Sequence, residues 1–287
     1  MSADPVPREP PALAVPRGRT DGTLHAYLSG VRDEMSAVAP SALLPIDEVI
    51  RLVEAGGKRL RPAFCYWGFR AAGGVDGEPI ERAAAALELL HTMALIHDDV
   101  MDRSPERRGV ASSVPFLAER SRRHGSSDPE HTGMSLALLA GDLAVVLADR
   151  LFLSSGFQPD RLVAALDRYH RMRIEMALGQ ALDLAGGGED EIAASLKGGS
   201  YTVEGPLAIG ATLAADAPGV VEALSRYGAP LGLAFQLLDD ERDGGTAASG
   251  RVGELVARAR AALDGAGQLD PVANAALRDL ADLVASG

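Results

Sequence analysis

Lysine is almost missing from this chain: of its 28 basic side chains only Lys58 and Lys197 are lysines, and the rest are arginines. Cysteine is reduced to Cys65, which excludes an intramolecular disulfide framework and a zinc site built on several thiolates. Aromatic residues make up only 4% of the sequence and alanine is abundant, a balance that favours helices over sheets. No alternating apolar and polar run of any length occurs, so the expected fold class is all-α. There is no basic block, and a formal charge of −12 argues against nucleic acid as a partner. Residues 1–20 carry five prolines and no apolar core. They are expected to form a disordered tail, and to be neither an export signal nor a membrane anchor. A cytoplasmic protein without stable membrane insertion is the expectation.

With 287 residues and 47% hydrophobic content the chain can bury a large core, expected as a single helical domain over 21–287. Proline and glycine divide it into helices over 23–38, 45–54, 61–72, 81–102, 134–154, 159–185, 218–243, 251–264 and 271–285. One further helix is expected around Lys197 and another after Pro206. Residues 103–115 read as a basic loop, followed by a mobile segment over 121–133.

Two aspartate clusters share one spacing, Asp98-Asp99-Val-Met-Asp102 and Asp239-Asp240-Glu-Arg-Asp243. On a helix the first and fifth positions differ by about 40° around the axis, so Asp98 with Asp102, and Asp239 with Asp243, each share a face. Paired carboxylates are hard oxygen ligands. Mg2+ takes few of them and completes its octahedron with water and substrate phosphates, so the pattern points to a metal-held diphosphate. The first cluster ends its helix, where carboxylates face the negative end of the macrodipole, a cost that a bound cation offsets. Upstream, Gly56-Gly57-Lys58-Arg59-Leu60-Arg61-Pro62 sets three cations at a turn between helices, and Arg107-Arg108 follow the first cluster. Backbone N–H groups and guanidinium forks at such places suit phosphate.

The stretches GGKRLRP (56–62), ELLHTMALIHDDVMDRSPERRG (88–109), LLAGDLAVVLAD (138–149), GQALDL (179–184), LKGGSYTVEGPLAIGA (196–211) and GLAFQLLDD (232–240) occur in one order. In them the sequence resembles the trans-type polyprenyl diphosphate synthases over roughly residues 20–243. The resemblance implies an isoprenoid-synthase-type helical bundle around a central deep pocket, usually a homodimer. It implies a Mg2+-dependent transferase that condenses isopentenyl diphosphate with an allylic diphosphate, three Mg2+ ions being held with the diphosphate. Asp98, Asp102 and Asp239 would bind metal, with Asp99, Asp240 and Asp243 in or near the ligand set. Gly57, Lys58, Arg61, His91 and Arg108 match the positions that hold isopentenyl diphosphate. Arg107 and Lys197 match those facing the allylic diphosphate, and Gln180, Asp183 and Gln236 match polar positions lining the site.

Product length in this family depends on what lies beneath the first cluster. Met93, five residues before Asp98, and the small Ala94 leave the pocket mouth unplugged, which favours a C20 product. Three departures stand against the matches. Gly198 occupies the position after the lysine where a hydroxyl residue, usually threonine, is expected, and Gly205 stands where relatives often carry Arg. After Asp243 the lysine-containing cap is missing. Alongside the elongase, a terpene cyclase on the same fold and a weakly active or regulatory subunit therefore remain as readings.

Overall fold

A computed structural model describes residues 10–107, 109–186, 190–242 and 249–286. Arg108 and Asp243 lie outside the described residues. The helices are α1 (Pro11–Val38), α2 (Leu44–Glu54), α3 (Leu60–Ala71), α4 (Glu78–Met101), α5 (Ser113–Arg123), α6 (Pro129–Leu153) and α7 (Pro159–Ala185). They continue as α8 (Asp190–Ala194), a π-helical stretch (Ser195–Glu204), α9 (Gly205–Ala214), α10 (Pro218–Arg242), α11 (Ser249–Asp264) and α12 (Pro271–Ser286). Between α4 and α5 two short antiparallel strands, β1 (Glu106–Arg107) and β2 (Val110–Ala111), form a small hairpin. The all-α expectation holds, and the hairpin is the small exception within it.

The chain divides into two compact units. The larger comprises Met1–Gly18, Arg59–Ala84 and Gly156–Gly287, and the smaller Arg19–Lys58 and Ala85–Ser155.

In the larger unit α3 packs on α9 at backbone contact. A Cβ at Gly68 would overlap the Leu207 carbonyl, and one at Gly210 the Cys65 carbonyl, so glycine is required at both crossings. Phe64, Leu207, Ile209 and Leu224 are fully buried, each stabilising the fold by roughly 1.5–3 kcal/mol. The hydroxyl of Tyr227 on α10 donates to the Leu277 carbonyl at 2.6 Å, fixing α12 to the same core. Residues 11–20, expected to lack regular structure, are the first turns of α1. Pro16 sits inside that helix and has no N–H to give the Ala12 carbonyl. Trp67 Nε1 donates to that carbonyl instead, at 2.6 Å, while Ala12 and Leu13 are buried. Tertiary contact thus restores what proline removes.

In the smaller unit α6 packs on α2 and α5. Tyr27 of α1 donates to the Leu147 carbonyl at 3.1 Å, and Arg150 pairs both nitrogens with Glu34 at 2.8 Å. Helix α4 ends in a left-handed residue, Arg103 (φ 53°), after which Ser104 N–H bonds back to the Asp99 carbonyl at 3.1 Å. That is the bond of a Schellman terminus, made here without the usual glycine.

Candidate active site

Within the larger unit, α7, the π-helical stretch and α10 bring four of the expected residues together. Gly179 lets α7 approach the backbone of Lys197, since a Cβ there would lie 2.5 Å from Lys197 N. One turn further along α7, Asp183 accepts from Lys197 Nζ at 2.7 Å. On α10, Gln236 Nε2 donates to Asp240 Oδ1 at 2.7 Å. Partial burial of the Asp240 carboxyl raises its pKa; Gln236 and Lys197 oppose the rise, and the neighbouring charges of Asp239 and Asp183 add to it. Asp239 is exposed beside it. The missing side chain at Gly198 has a steric explanation: a Cβ there would fall within the Gln236 carboxamide. At Gly205, Met172 fills the place, with its sulfur 2.6 Å from where a Cβ would stand.

Arg61 is seated on the far end of the same π-helical stretch. Its guanidinium lies 4.3 Å over the Tyr201 ring and donates to Thr202 Oγ1 at 2.8 Å. The Arg61 Nε is buried without a hydrogen-bond partner. Neither Tyr201 nor Thr202 was among the residues that the sequence singled out. Their role depends on a π-helical turn, which a search at α-helical spacing does not find. Gln180 is half-buried on α7, three residues before Asp183.

In the smaller unit the first cluster meets the hairpin. Arg107 Nε and Nη2 donate to Asp99 Oδ1 at 2.8 and 2.6 Å, and Nη2 reaches Asp98 Oδ2 at 3.2 Å. Asp99 is buried, and its Oδ2 has no hydrogen-bond partner. Burial raises the Asp99 pKa, Arg107 opposes the rise, and Asp98 and Asp102 add to it. For Arg107 burial works the other way, yet the combined pull of Asp99 and Asp98 leaves its pKa raised. Asp102 lies just past α4, its N–H on the Asp98 carbonyl at 2.8 Å, so the two keep helical register. Met93 and Ala94 are half-buried on the same helix, as is His91. Gly56 (φ 84°) stops α2, and Gly57 (φ 154°) follows in a conformation that disfavours other residues. Lys58 is exposed after them.

The donor set fits Mg2+. Asp98 and Asp102 offer oxygen only, the orphaned Asp99 oxygen marks uncompensated negative charge, and Arg107 sets one guanidinium against the two carboxylates of Asp98 and Asp99. Among the described residues no three His, Cys, Asp or Glu side chains form a cage. A Mg2+ site built on one or two carboxylates and substrate phosphates needs none.

Residues 46–250 match the family model described as polyprenyl synthetase. The chain belongs to the polyprenyl synthetase family. It is 30% identical over 221 residues to a short chain isoprenyl diphosphate synthase of Methanothermobacter thermautotrophicus, covering 74% of this chain and 62% of that protein. To a geranylgeranyl diphosphate synthase of Methanosarcina mazei it is 34% identical over 198 residues, covering 67% and 56%. The chain thus spans less than two thirds of the length of these curated relatives. Among solved structures of polyprenyl synthetase relatives, a geranylgeranyl pyrophosphate synthase of Corynebacterium glutamicum, complexed with isoprenyl diphosphate and magnesium, superposes with a TM-score of 0.84. It is 26% identical, and the match covers 95% of this chain and 99% of that one. A geranylgeranyl pyrophosphate synthetase of the archaeon Geoglobus acetivorans has the same fold, with a TM-score of 0.72 at 22% identity over 92% of this chain and 99% of that one.

Proposed function

We propose that the protein is a Mg2+-dependent trans-prenyltransferase that condenses isopentenyl diphosphate with an allylic diphosphate, giving the C20 product geranylgeranyl diphosphate. The observation that carries this reading is the end of α4. There the Arg107 guanidinium holds Asp98 and Asp99, one buried Asp99 oxygen is left over, and Asp102 follows Asp98 in helical register. The geranylgeranyl diphosphate synthases among its relatives, and the slender Met93 five residues before Asp98, support the C20 assignment.

In this reading Asp98, Asp102, Asp239 and Asp243 are the metal ligands. Magnesium, when bound, neutralises the diphosphate and stabilises it as a leaving group. Lys197, held by Asp183, and Arg107, held by Asp99, present fixed positive charge to the allylic diphosphate. Such charge is already oriented and costs no reorganisation when the allylic carbon–oxygen bond breaks and its electron pair leaves on the diphosphate. Gly57, Lys58, Arg61, His91 and Arg108 hold isopentenyl diphosphate, whose double bond supplies the electron pair of the new carbon–carbon bond. The buried Arg61 Nε is a donor that a phosphate oxygen would satisfy. The cation so formed then loses a proton to the released diphosphate, which leaves the double bond of the product, and Gln180 and Gln236 line the site. Association as a homodimer is supported by Leu139, Val146 and Leu153, which repeat along one exposed stripe of α6. No described helix is long and apolar enough to cross a membrane, in keeping with the proposed cytoplasmic location.

The test is to incubate the purified chain with Mg2+, isopentenyl diphosphate and each of the C5, C10 and C15 allylic diphosphates, and to analyse the extracts. A C20 prenyl diphosphate is expected. A hydrocarbon or terpene alcohol would assign a cyclase instead, and no turnover with any substrate would reject the enzyme.

A further inference from the structure

Arg51 has no part in the reading above, yet it makes a dense set of contacts inside the smaller unit. It sits in the last turn of α2. Its Nε and Nη2 both donate to the Glu48 carboxylate at 2.7 Å. Glu48 is fully buried and also accepts from Ser113 Oγ at 2.6 Å. The guanidinium lies 4.2 Å over the Phe116 ring of α5. Its Nη2 reaches further, to the Ala111 carbonyl at 3.0 Å.

Ala111 is the residue of β2 that pairs with Glu106, beside the pair of Val110 with Arg107. Strands of two residues have too little pairing to hold a shape alone. The other described bonds tie β1 to α4 through Arg107 on Asp99 and Asp98, or are local: Ser104 N–H to the Asp99 carbonyl at 3.1 Å, Ser112 N–H to the Pro105 carbonyl at 3.1 Å, and Ser112 Oγ to the Ser104 carbonyl. Arg51 supplies a second fixed point, on β2, because the buried Glu48 and the Phe116 ring leave its planar fork one orientation.

We propose that Arg51 is a positioning residue that clamps the hairpin carrying Arg107 to α2, the helix whose end leads into Gly57 and Lys58. The clamp rests on the reading in which Arg107 meets the allylic diphosphate. It reads a backbone carbonyl, so it constrains the place of the hairpin and not its sequence. It also requires a guanidinium, since an ammonium cannot pair twice with Glu48, stack on Phe116 and still reach Ala111. Without the clamp the hairpin is correctly placed in only a fraction of molecules. The apparent affinity for substrate falls by that fraction, while saturating substrate restores the rate. Loss of one charge-assisted bond corresponds to about tenfold.

The experiment compares steady-state kinetics and amide exchange in the full chain for Arg51→Lys and for the double variant Glu48→Gln with Arg51→Met. The double variant removes the buried charge together with its partner, so no carboxylate is left uncompensated. In both, KM for the allylic diphosphate should rise about tenfold with kcat within about twofold, and the amides of Ser104 and Ser112 should exchange about tenfold faster than in the parent. A merely structural role would lower kcat, through fewer folded molecules, at unchanged KM, and that result overturns the clamp. So does parental KM and exchange in both variants while Arg107→Ala is impaired. Parental kinetics in Arg107→Ala would instead reject the reading of Arg107 on which the clamp rests.

Discussion

Replacing Gly198 by alanine should force Gln236 out of its place over the π-helical stretch. The three atoms nearest a Cβ at 198 all belong to Gln236, with Cδ at 2.6 Å and Cβ at 2.7 Å. The Gln236 Cβ is fixed to α10, so swinging the carboxamide aside does not clear the overlap. Overpacking of this kind costs about 1–3 kcal/mol, the lost bond to Asp240 about 1 kcal/mol more, and alanine returns up to about 1 kcal/mol over glycine in a helix. The net loss for Gly198→Ala is about 2 kcal/mol. Gln236→Gly removes the obstructing Cβ and loses both the bond and helix propensity, again about 2 kcal/mol. In the double variant the overlap is gone and the methyl group added at position 198 favours the helix, so the loss is about 1 kcal/mol where additivity requires about 4. Urea melts of the four proteins give the coupling directly. Additive losses would refute the claim that Gln236 is what keeps residue 198 a glycine.

Asp98→Ala should lower turnover at least about 100-fold, and chelation of Mg2+ should do the same; full activity in product assays of the variant would sink the metal assignment. Alkaline pH should destabilise the fold in two steps. Burial pushes the Cys65 thiol above its ordinary 9.0 and the Tyr227 hydroxyl above its ordinary 10.0, so the folded chain keeps two protons that the unfolded chain releases. Stability is therefore unaffected by these groups below about pH 9, falls by about 1.4 kcal/mol per pH unit above it, and by twice that above about pH 10. Cys65→Ala and Tyr227→Phe should each remove one step from urea midpoints measured across that range. Arg103→Gly should raise stability by about 0.5–1 kcal/mol, because φ 53° at the end of α4 is costly for a residue with a Cβ. A lower melting temperature for that variant would contradict the assignment of strain there.

Most helix limits were legible because proline or glycine stands at them: Pro159 and Gly186 bound α7, and Pro218 and Pro271 open α10 and α12. The same rule misread residues 11–20, since it counts the hydrogen bond that Pro16 deletes and cannot see that Trp67 replaces it. The hairpin at 106–111 is too short to leave an alternating pattern. For the candidate site, residue type and spacing nominated Asp98, Asp102 and Arg107 and the scarcity of lysine nominated Lys197; the structure ties Arg107 and Lys197 to carboxylates. Spacing alone could not say that Arg107 spends its guanidinium on Asp99 and Asp98, which depends on where the hairpin folds back. The departures at Gly198 and Gly205 read as losses in the sequence; in the structure Gln236 and Met172 occupy those spaces.

The π-helical stretch gives the site a requirement for length. Its i→i+5 bonds hold Ser195 and Glu204 at a rotational phase that an α-helix of the same ten residues does not reproduce. Lys197 near its start meets Asp183, and Tyr201 and Thr202 near its end seat Arg61. Deleting one residue between them would turn one end against the other by roughly 80°, and both cations could not keep their partners. A point substitution at Ser200 alters one contact; a lost residue alters the angle between two charges. Among homologues, gaps within 195–204 should accordingly be rarer than substitutions, and engineered variants of this segment have to conserve its count before its composition.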